Sequence, residues 1–177
     1  LGSRLLKDKG IREFVEASSI VKKNHLKVRF LVAGEPDFMN PASIEQSEID
    51  KWKFEGNVEF MGHITDIRKL IIQSTVVVLP SYREGLPKIL IEAAACGRAI
   101  ITTDVPGCRD AIESNVTGLL VPVQNSRELA RKICYLLDNP SKCKELGDAG
   151  RKRAEAIFDI NKVVKRHINI YAGLLDL

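Results

Sequence analysis

The sequence predicts an α/β fold, a Rossmann-like parallel sheet with helices on both faces. Short apolar segments of strand length alternate with segments of helical periodicity along the whole chain. Because helices separate the strands, we expect right-handed crossovers between parallel strands. Apolar residues make up 45% of the 177 residues, which is enough for the core of one domain.

The first half of the chain is expected to hold three helices and two strands. Ile11 and Phe14 begin an apolar pattern of helical spacing, and Asn40-Pro41 resembles a cap followed by a first-turn proline. Asp66 is a second candidate cap. The predicted elements are a helix over 9–23, a strand over 27–33, a helix over 40–52, a strand over 57–60 and a helix over 66–73.

The second half is expected to continue the alternation and to end in three helices. The segment 75–79 is almost entirely apolar, as expected for a strand that is buried on both faces. The next helix is also largely apolar and stops at Gly97, so we expect it to be buried. The predicted elements are a strand over 75–79, a helix over 87–96, a strand over 99–102, a short helix after Gly107, a strand over 118–121 and helices over 126–138, 141–158 and 161–175.

The chain opens on Gly2-Ser3-Arg4-Leu5, a segment typical of a turn between a strand and a helix. No strand precedes this turn, so a sheet built from these residues alone would expose an unpaired edge. We therefore expect upstream residues to supply the first strand. The opening residues show no signal-peptide pattern, and the longest apolar runs have the length of strands rather than of membrane-spanning helices.

Composition narrows the classes of function. The net charge of +4 is spread along the chain and only 6% of residues are aromatic. A nucleic-acid-binding surface usually combines a basic stripe with stacking aromatics, so this class is disfavoured. A mild positive charge fits a phosphorylated ligand or an anionic membrane surface. The four cysteines form no CxxC pair and show no metal-ligand spacing, which indicates a reducing compartment and predicts no metal site.

The turns at the carboxyl ends of the strands are the expected ligand site in an open parallel sheet. Of the four turns that follow Ala33, Phe60, Leu79 and Thr103, the third carries the most signal. This turn spans residues 80–87. Gly85 permits close backbone approach, and Pro87 fits the first position of the helix that follows. The free N–H groups at such a positive helix end bind phosphate well, and here they belong to Gly85, Leu86, Lys88 and Ile89.

Four charged side chains near these turns are candidates for binding. Glu92 interrupts an apolar helix, and ligand hydroxyls or an i,i+4 pair with Lys88 would equally explain a carboxylate there. Glu84 lies just ahead of the same helix, where a surface acid that stabilises the helix dipole is the simpler interpretation. Arg4 and Lys9 bracket the first turn and could clamp a diphosphate, although cations on loops are usually only solvated.

Two further turns carry weaker candidates. Gly62-His63-Ile64 could meet a nucleobase through backbone groups, whereas a lone histidine in a turn is more often structural or exposed. Gly107 could offer an N–H group at a helix start, and Arg109 a cation. A plain turn explains the segment 106–110 equally well.

Three segments together resemble the retaining glycosyltransferases of family 4. The turn Arg4-Leu5-x-x-x-Lys9-Gly10 resembles the Arg…Lys-Gly turn of that family. Glu84-x7-Glu92, within a longer string over 81–97, resembles its signature, and Thr117-Gly118-Leu119-Leu120-Val121 is similar to the strand that follows. Order and spacing match over residues 2–158.

This resemblance implies the C-terminal half of a GT-B enzyme, in which two Rossmann-like domains face each other across a cleft. Residues 1–177 would be the donor-binding domain, with C-terminal helices over about 141–177, and the N-terminal acceptor domain would be absent from this chain. The whole enzyme would transfer a hexose or N-acetylhexosamine from a UDP-sugar, rather than a GDP-sugar, with retention of configuration. The isolated domain would be inactive.

The resemblance also implies roles for individual residues. Arg4 and Lys9 would hold the donor diphosphate and offset the charge of the leaving group. Glu84 would bind the sugar hydroxyls and Glu92 the ribose hydroxyls. Arg4, Lys9 and Glu84 would form the catalytic set, without a metal ion. The donor-binding set would be Gly2, Arg4, Lys9, His63, Ile64, Glu84, Gly85, Leu86, Pro87 and Glu92.

The string over 83–88 is similar to bacterial enzymes that build capsule, O-antigen or lipid-linked glycan. This similarity implies a cytoplasmic enzyme, peripheral at the inner face of the plasma membrane, with an acceptor on a lipid carrier. Arg109 and Asp110 depart from many relatives and receive no role. Two alternatives stay open: a non-catalytic nucleotide-sugar-binding module and a sugar-nucleotide epimerase of the same architecture. The last helix, with Ile168, Tyr171 and Leu175 along one side, could pack on the acceptor domain or on its own domain.

Overall fold

Strands and helices alternate up to three consecutive C-terminal helices within residues 1–175, the part of the chain that this computed structural model describes. The strands are β1 (Leu31–Val32), β2 (Glu59–Phe60), β3 (Val76–Leu79), β4 (Ala99–Thr103) and β5 (Leu119–Val121). The helices are α1 (Ile11–Val21), α2 (Gln46–Glu55), α3 (Ile67–Gln73), α4 (Lys88–Ala95), α5 (Pro106–Ala111), α6 (Ser126–Asp138), α7 (Pro140–Ile157) and α8 (Ile160–Leu175). A single 3₁₀ turn, Lys7–Lys9, precedes α1.

The sheet is parallel, in two hydrogen-bonded parts with the orders β1-β2 and β3-β4-β5. Residues 1–3 extend the first part, because the Ser3 N–H group donates to the Ala33 carbonyl at 3.0 Å and the Ala33 N–H group donates to the Leu1 carbonyl at 2.9 Å. The parallel α/β architecture that the sequence predicts is therefore confirmed.

Alternate strand residues face two separate apolar cores, so helices cover both faces of the sheet as predicted. Val78 and Ile101 lie in a core built largely by α1, α2 and α6. Val77 and Ile100 lie in a second core built largely by α3, α4 and α5. The central strand β4 is buried at all five positions. It therefore anchors the turns at the carboxyl end of the sheet.

The start of α2 is the main error among the predicted elements, since the helix begins at Gln46 rather than near residue 40. The Asn40 side-chain oxygen accepts the Ala42 N–H group at 2.9 Å, and the Asn40 carbonyl accepts the Ser43 N–H group at 2.9 Å. These bonds close a turn, which is the common alternative for an Asn-Pro pair. The Ile44 N–H group then donates to the Leu5 carbonyl at 2.9 Å, so this segment pairs with the first turn of the chain.

The last helix, α8, keeps its apolar side chains exposed, and Ile168 and Tyr171 are 60% and 62% exposed. The third residue predicted for this side, Leu175, has its side chain outside the described part of the structure. Within residues 1–175, no helix is both long enough and apolar enough to span a bilayer.

Candidate functional site

A pocket of about 520 Å³ opens at the carboxyl ends of the first strands, where open parallel sheets bind ligands. Its walls are the turn over residues 2–4, the turns that follow β1 and β2, and one side of α4. The lining residues are Gly2, Ser3, Arg4, Ala33, Gly34, Glu35, Pro36, Asp37, His63, Ile64, Ile67, Lys88, Ile89 and Glu92. Five of the residues predicted to bind the donor line this pocket: Gly2, Arg4, His63, Ile64 and Glu92.

Backbone hydrogen bonds tie the three turns of the pocket together. The Gly34 N–H group donates to the Gly62 carbonyl at 2.8 Å, and the Leu5 N–H group donates to the Glu35 carbonyl at 2.9 Å. The His63 N–H group donates to the Glu35 carboxylate at 3.3 Å. Three segments that are far apart in sequence therefore form one continuous wall.

Glu92 is exposed and lines the pocket, so the expectation that it is desolvated within a buried helix was wrong. Only one side of α4 is buried, through Leu90, Ala93 and Ala94. The ion pairs of residues 1–175 do not include one between Glu92 and Lys88. The Glu92 carboxylate is thus open to a ligand without the cost of burying a charge.

Lys9 and Glu84 meet outside the pocket lining, at the carboxyl end of β3. The Lys9 Nζ atom donates to the Glu84 Oε1 atom at 2.8 Å, and the two side chains are 17% and 14% exposed. Gly10 makes this approach possible, because a Cβ atom on it would lie 2.1 Å from the Pro80 carbonyl oxygen. The Tyr82 N–H group also donates to the Asp8 carbonyl at 2.8 Å. The predicted Arg-x4-Lys-Gly turn is therefore docked directly on the loop that carries Glu84.

The loop before α4 presents Gly85 and Leu86 to solvent, as expected for backbone donors at a helix start. Pro87 is buried and is the N-cap, so α4 begins at Lys88 rather than at the proline. Gly107 packs tightly against the backbone of this loop, because a Cβ atom on it would lie 2.1 Å from the Gly85 carbonyl oxygen. Residues 106–110 lie in α5, so the plain turn is wrong, and Gly107 lies at the helix start in a close packing contact that the sequence did not predict.

Arg4 lies at the pocket with a partner that sequence reasoning missed. Its Nη1 atom donates to the Asp37 Oδ2 atom at 2.9 Å, with side chains that are 64% and 32% exposed. Asp37 and Glu35 follow the strand that ends at Ala33, so the rule about carboxyl ends of strands could have identified them. Arg109, which received no role, pairs with Asp104 at 2.8 Å on the surface.

Tyr82 is a second residue that the sequence did not single out. Its hydroxyl group donates to the Glu13 Oε1 atom at 2.6 Å. Burial, together with the hydrogen bond to Glu13, raises the pKa of Tyr82 to about 12. Three oxygens around this loop are buried without a hydrogen-bond partner within the described residues: Asp8 Oδ1, Glu13 Oε2 and Ser81 Oγ. The Lys9–Glu84 pair thus lies beside a polar cluster with spare acceptors.

The part of the chain that the structure describes brings no three His, Cys, Asp or Glu side chains together as a candidate metal site. The cysteines at positions 96, 108, 134 and 143 are all free thiols. Burial raises the pKa of the Cys108 thiol, the most enclosed thiol near the Glu84 loop.

Sequence and structure comparisons identify relatives along almost the whole chain. The family model described as Glycosyl transferases group 1 matches residues 2–139. The N,N'-diacetylbacillosaminyl-diphospho-undecaprenol alpha-1,3-N-acetylgalactosaminyltransferase of Campylobacter jejuni is 32% identical over 170 residues, which cover 96% of this chain and 43% of that protein.

Two solved structures share the fold. Sucrose-phosphate synthase from Thermosynechococcus elongatus has a TM-score of 0.86 and 29% identity, covering 98% of this chain and 44% of that one. A variant of TarM from S. aureus, in complex with fondaparinux, alpha-GlcNAc-glycerol and UDP, has a TM-score of 0.83 and 26% identity, covering 96% and 34%. The chain thus spans less than half the length of each of these three proteins.

Proposed function

The chain belongs to the group 1 glycosyl transferases, and on that premise we propose that it is the domain that binds the nucleotide-sugar donor in a larger glycosyltransferase. One observation carries the proposal. A pocket with a free carboxylate, Glu92, and a cation, Arg4, adjoins a helix start and a second ion pair, Lys9–Glu84, along one sheet edge. These are the chemical groups that a nucleoside diphosphate sugar requires.

Glu92 is assigned to the ribose. An ionised carboxylate accepts two hydrogen bonds from vicinal hydroxyl groups, and such charge-assisted bonds are about twice as strong as neutral ones. Glu92 is exposed at the pocket and takes part in none of the ion pairs found in residues 1–175, so ligand binding need not break a salt bridge at this carboxylate. His63 and Ile64, across the pocket, are assigned to the base through their backbone groups.

Arg4 and Lys9 are assigned to the diphosphate. Arg4 offers a planar guanidinium group and Lys9 a flexible ammonium group. In the structure Arg4 pairs with Asp37 and Lys9 with Glu84. A diphosphate would take over these cations and release Asp37 and Glu84 from them. Glu84 would then be free to accept hydrogen bonds from the sugar hydroxyls, with the Gly85 and Leu86 N–H groups above the sugar and phosphate.

The proposed reaction transfers the sugar to an acceptor with retention of configuration. Two preorganised cations and a helix start stabilise the leaving diphosphate, so that no metal ion is required for this step. Glu84 need not act as a nucleophile in this scheme. We assign Arg4, Lys9 and Glu84 to catalysis and the remaining predicted residues to donor binding.

The wider setting is proposed from the relatives. The TarM variant was solved with UDP, which supports a uridine rather than a guanosine donor. The Campylobacter jejuni relative is named for an undecaprenol-linked substrate. We therefore propose a hexosyl- or N-acetylhexosaminyltransferase that acts on a lipid-linked glycan at the cytoplasmic face of the membrane, with an acceptor domain elsewhere in the full-length protein.

Calorimetric titration of this chain with a panel of UDP- and GDP-sugars tests the donor site. We expect UDP-sugars to bind, and both Glu92→Gln and Lys9→Ala to weaken binding at least about tenfold, which is about 1.4 kcal/mol. Glu16→Gln and Lys53→Ala are matched controls, since both residues are exposed and lie on other helices. Binding that is unchanged by EDTA is expected for a metal-independent site.

The same titration on the full-length protein decides the proposal if the chain alone binds poorly. Binding that disappears in the Glu92 and Lys9 variants supports the assignment. A folded full-length protein that binds no nucleotide sugar, or binds it equally well in both variants, would overturn it.

A further inference from the structure

The loop over residues 80–87, here called the Glu84 loop, is held against the start of α1 by two side-chain contacts. The Lys9 Nζ atom donates to the Glu84 Oε1 atom at 2.8 Å. The Tyr82 hydroxyl group donates to the Glu13 Oε1 atom at 2.6 Å. The proposed reaction uses the first of these contacts, whereas the second has no role in it.

The Tyr82 contact does not depend on either member of the ion pair. Glu13 lies near the start of α1, a helix whose inner face is buried in the core. The Tyr82 N–H group donates to the Asp8 carbonyl at 2.8 Å, so the same residue is also fixed through its backbone. Tyr82 thus ties the Glu84 loop to a packed helix without a contribution from the ion pair.

Donor binding would remove the ion pair. A diphosphate that takes over Lys9 leaves Glu84 without its cation, and Glu84 must then accept hydrogen bonds from the sugar. The loop therefore loses one contact at the moment when its carboxylate has to be in place. Because ordering a flexible backbone costs free energy, a loop released in this way would bind the sugar more weakly.

Other elements support the backbone of the Glu84 loop. The Thr103 hydroxyl group at the end of β4 donates to the Ser81 carbonyl. Gly107 in α5 packs against the Gly85 carbonyl. These contacts join the loop to β4 and α5 rather than to α1. Tyr82 supplies the hydrogen bonds that keep the loop docked beside α1 once the ion pair is gone.

The Tyr82–Glu13 contact is polar although an apolar contact would be less costly. The Glu13 Oε2 atom is buried and has no hydrogen-bond partner within residues 1–175, which costs stability. A hydrogen bond, however, fixes direction as well as distance. Burial, followed by the bond to Glu13, raises the pKa of Tyr82 to about 12, so the hydroxyl group keeps its proton and donates at neutral pH.

We propose that Tyr82 and Glu13 are positioning residues for the donor sugar, because their hydrogen bond holds Glu84 in place after the diphosphate has drawn Lys9 away. The nucleotide half of the site does not use this bond. Glu92 is carried by α4, whose buried side chains pack in the other core. This inference rests on the proposed function, and it predicts that the bond affects affinity for the sugar but hardly affects affinity for UDP.

Calorimetric titration of the full-length protein with UDP, and with the UDP-sugar that binds best in the panel, tests the proposal. Tyr82→Phe removes the hydroxyl group and keeps the ring, and Glu13→Ala removes the acceptor. We expect each variant to bind the UDP-sugar at least about fivefold more weakly, and UDP within about twofold of the unsubstituted protein. Glu13→Gln keeps an oxygen acceptor for Tyr82 and should restore most of the affinity that depends on the sugar.

Tyr135→Phe in α6 and Glu16→Ala in α1 are the matched controls, because both side chains are exposed, and neither should change either affinity. Tyr82→Phe keeps the packing of the ring, so it provides the comparison even if Glu13→Ala does not fold. Variants that lower both affinities equally, or neither, would show a purely structural role and overturn the proposal. A folded full-length protein that binds neither UDP nor any UDP-sugar would overturn the proposed function, and this inference with it.

Discussion

The two ion pairs at the carboxyl edge of the sheet have the same chemistry and very different surroundings. Arg4 and Asp37 face the donor pocket and are 64% and 32% exposed, whereas Lys9 and Glu84 are 17% and 14% exposed beneath a docked turn. Exposed pairs contribute about 0–1 kcal/mol to folding, and removal of one partner from an enclosed pair costs more because the other charge is left with little water. Arg4 can therefore change partners at little cost, while Lys9 also holds two loops together.

A pair of double-mutant cycles would measure this contrast, and we expect its largest effects at Lys9. Lys9→Ala is expected to destabilise the chain by about 1–3 kcal/mol, since it leaves the Glu84 carboxylate unpaired. The coupling energy between Lys9 and Glu84 should exceed about 1 kcal/mol, whereas that between Arg4 and Asp37 should stay below about 0.5 kcal/mol. Chemical denaturation of each single and double alanine variant provides the values; equal couplings would show that burial does not separate the pairs.

The second-largest effect is expected at Gly107, which packs against the backbone of the loop that carries Glu84. Gly107→Ala places a Cβ atom 2.1 Å from the Gly85 carbonyl oxygen and 2.4 Å from the Glu84 carbonyl oxygen. Overpacking of this kind typically costs about 1–3 kcal/mol, and here it should also weaken UDP-sugar binding by moving the loop.

Gly173→Ala is the matched control for that change. Gly173 lies in α8, and nothing stands within 4 Å of its added Cβ atom. This variant should be unchanged or stabilised by about 0.4–1 kcal/mol. Thermal melts that rank the two variants the other way round would contradict the packing role of Gly107.

Tyr82 gives the enclosed loop a dependence of stability on pH. Its pKa is raised from 10.0 to about 12, chiefly by burial. The stabilisation from the neutral hydroxyl is therefore fully present below pH 10 and is lost as pH rises through 12. Unfolding of the original chain and of Tyr82→Phe, compared between pH 8 and pH 11, should show the steeper loss in the original chain. Parallel curves would mean that Tyr82 titrates normally.

The smallest effect is expected at the exposed pair. Asp37→Asn removes the charge that pairs with Arg4 at the pocket, and the free energy of unfolding should change by no more than about 0.5 kcal/mol. UDP-sugar affinity should stay the same or rise a few-fold, because Arg4 no longer exchanges partners. A marked loss of affinity in calorimetry would instead show that Asp37 itself contacts the ligand.

Most elements were predictable because their signals are local. The helix over 126–138 was predicted with the same ends as α6, whose apolar period is regular and whose start is capped by the Asn125 side chain, which accepts the Glu128 N–H group at 2.9 Å. The start of α2 was wrong because an Asn-Pro pair can open a turn as well as a helix, and the bonds that decided between them include one to Leu5, far away in sequence.

The site was predictable only in part, and for a similar reason. Gly2, Arg4, His63, Ile64 and Glu92 could be assigned to one region because strands in a parallel sheet end at the same edge. The exposure of Glu92 was not predictable, since composition shows that a helix is apolar without showing which side faces outward. The partner of Arg4 was missed because an acidic residue on a turn carries no distinctive pattern.

The sequence by itself determined the alternation of strands and helices, the parallel sheet and the turns where ligands bind, since these depend on periodicity and on residues close together in the chain. Only the tertiary structure decided that Lys9 meets Glu84 across 75 positions and that Arg4 pairs with Asp37. Such contacts depend on how glycines such as Gly10 and Gly107 let backbones approach, and that approach is a property of the assembled chain.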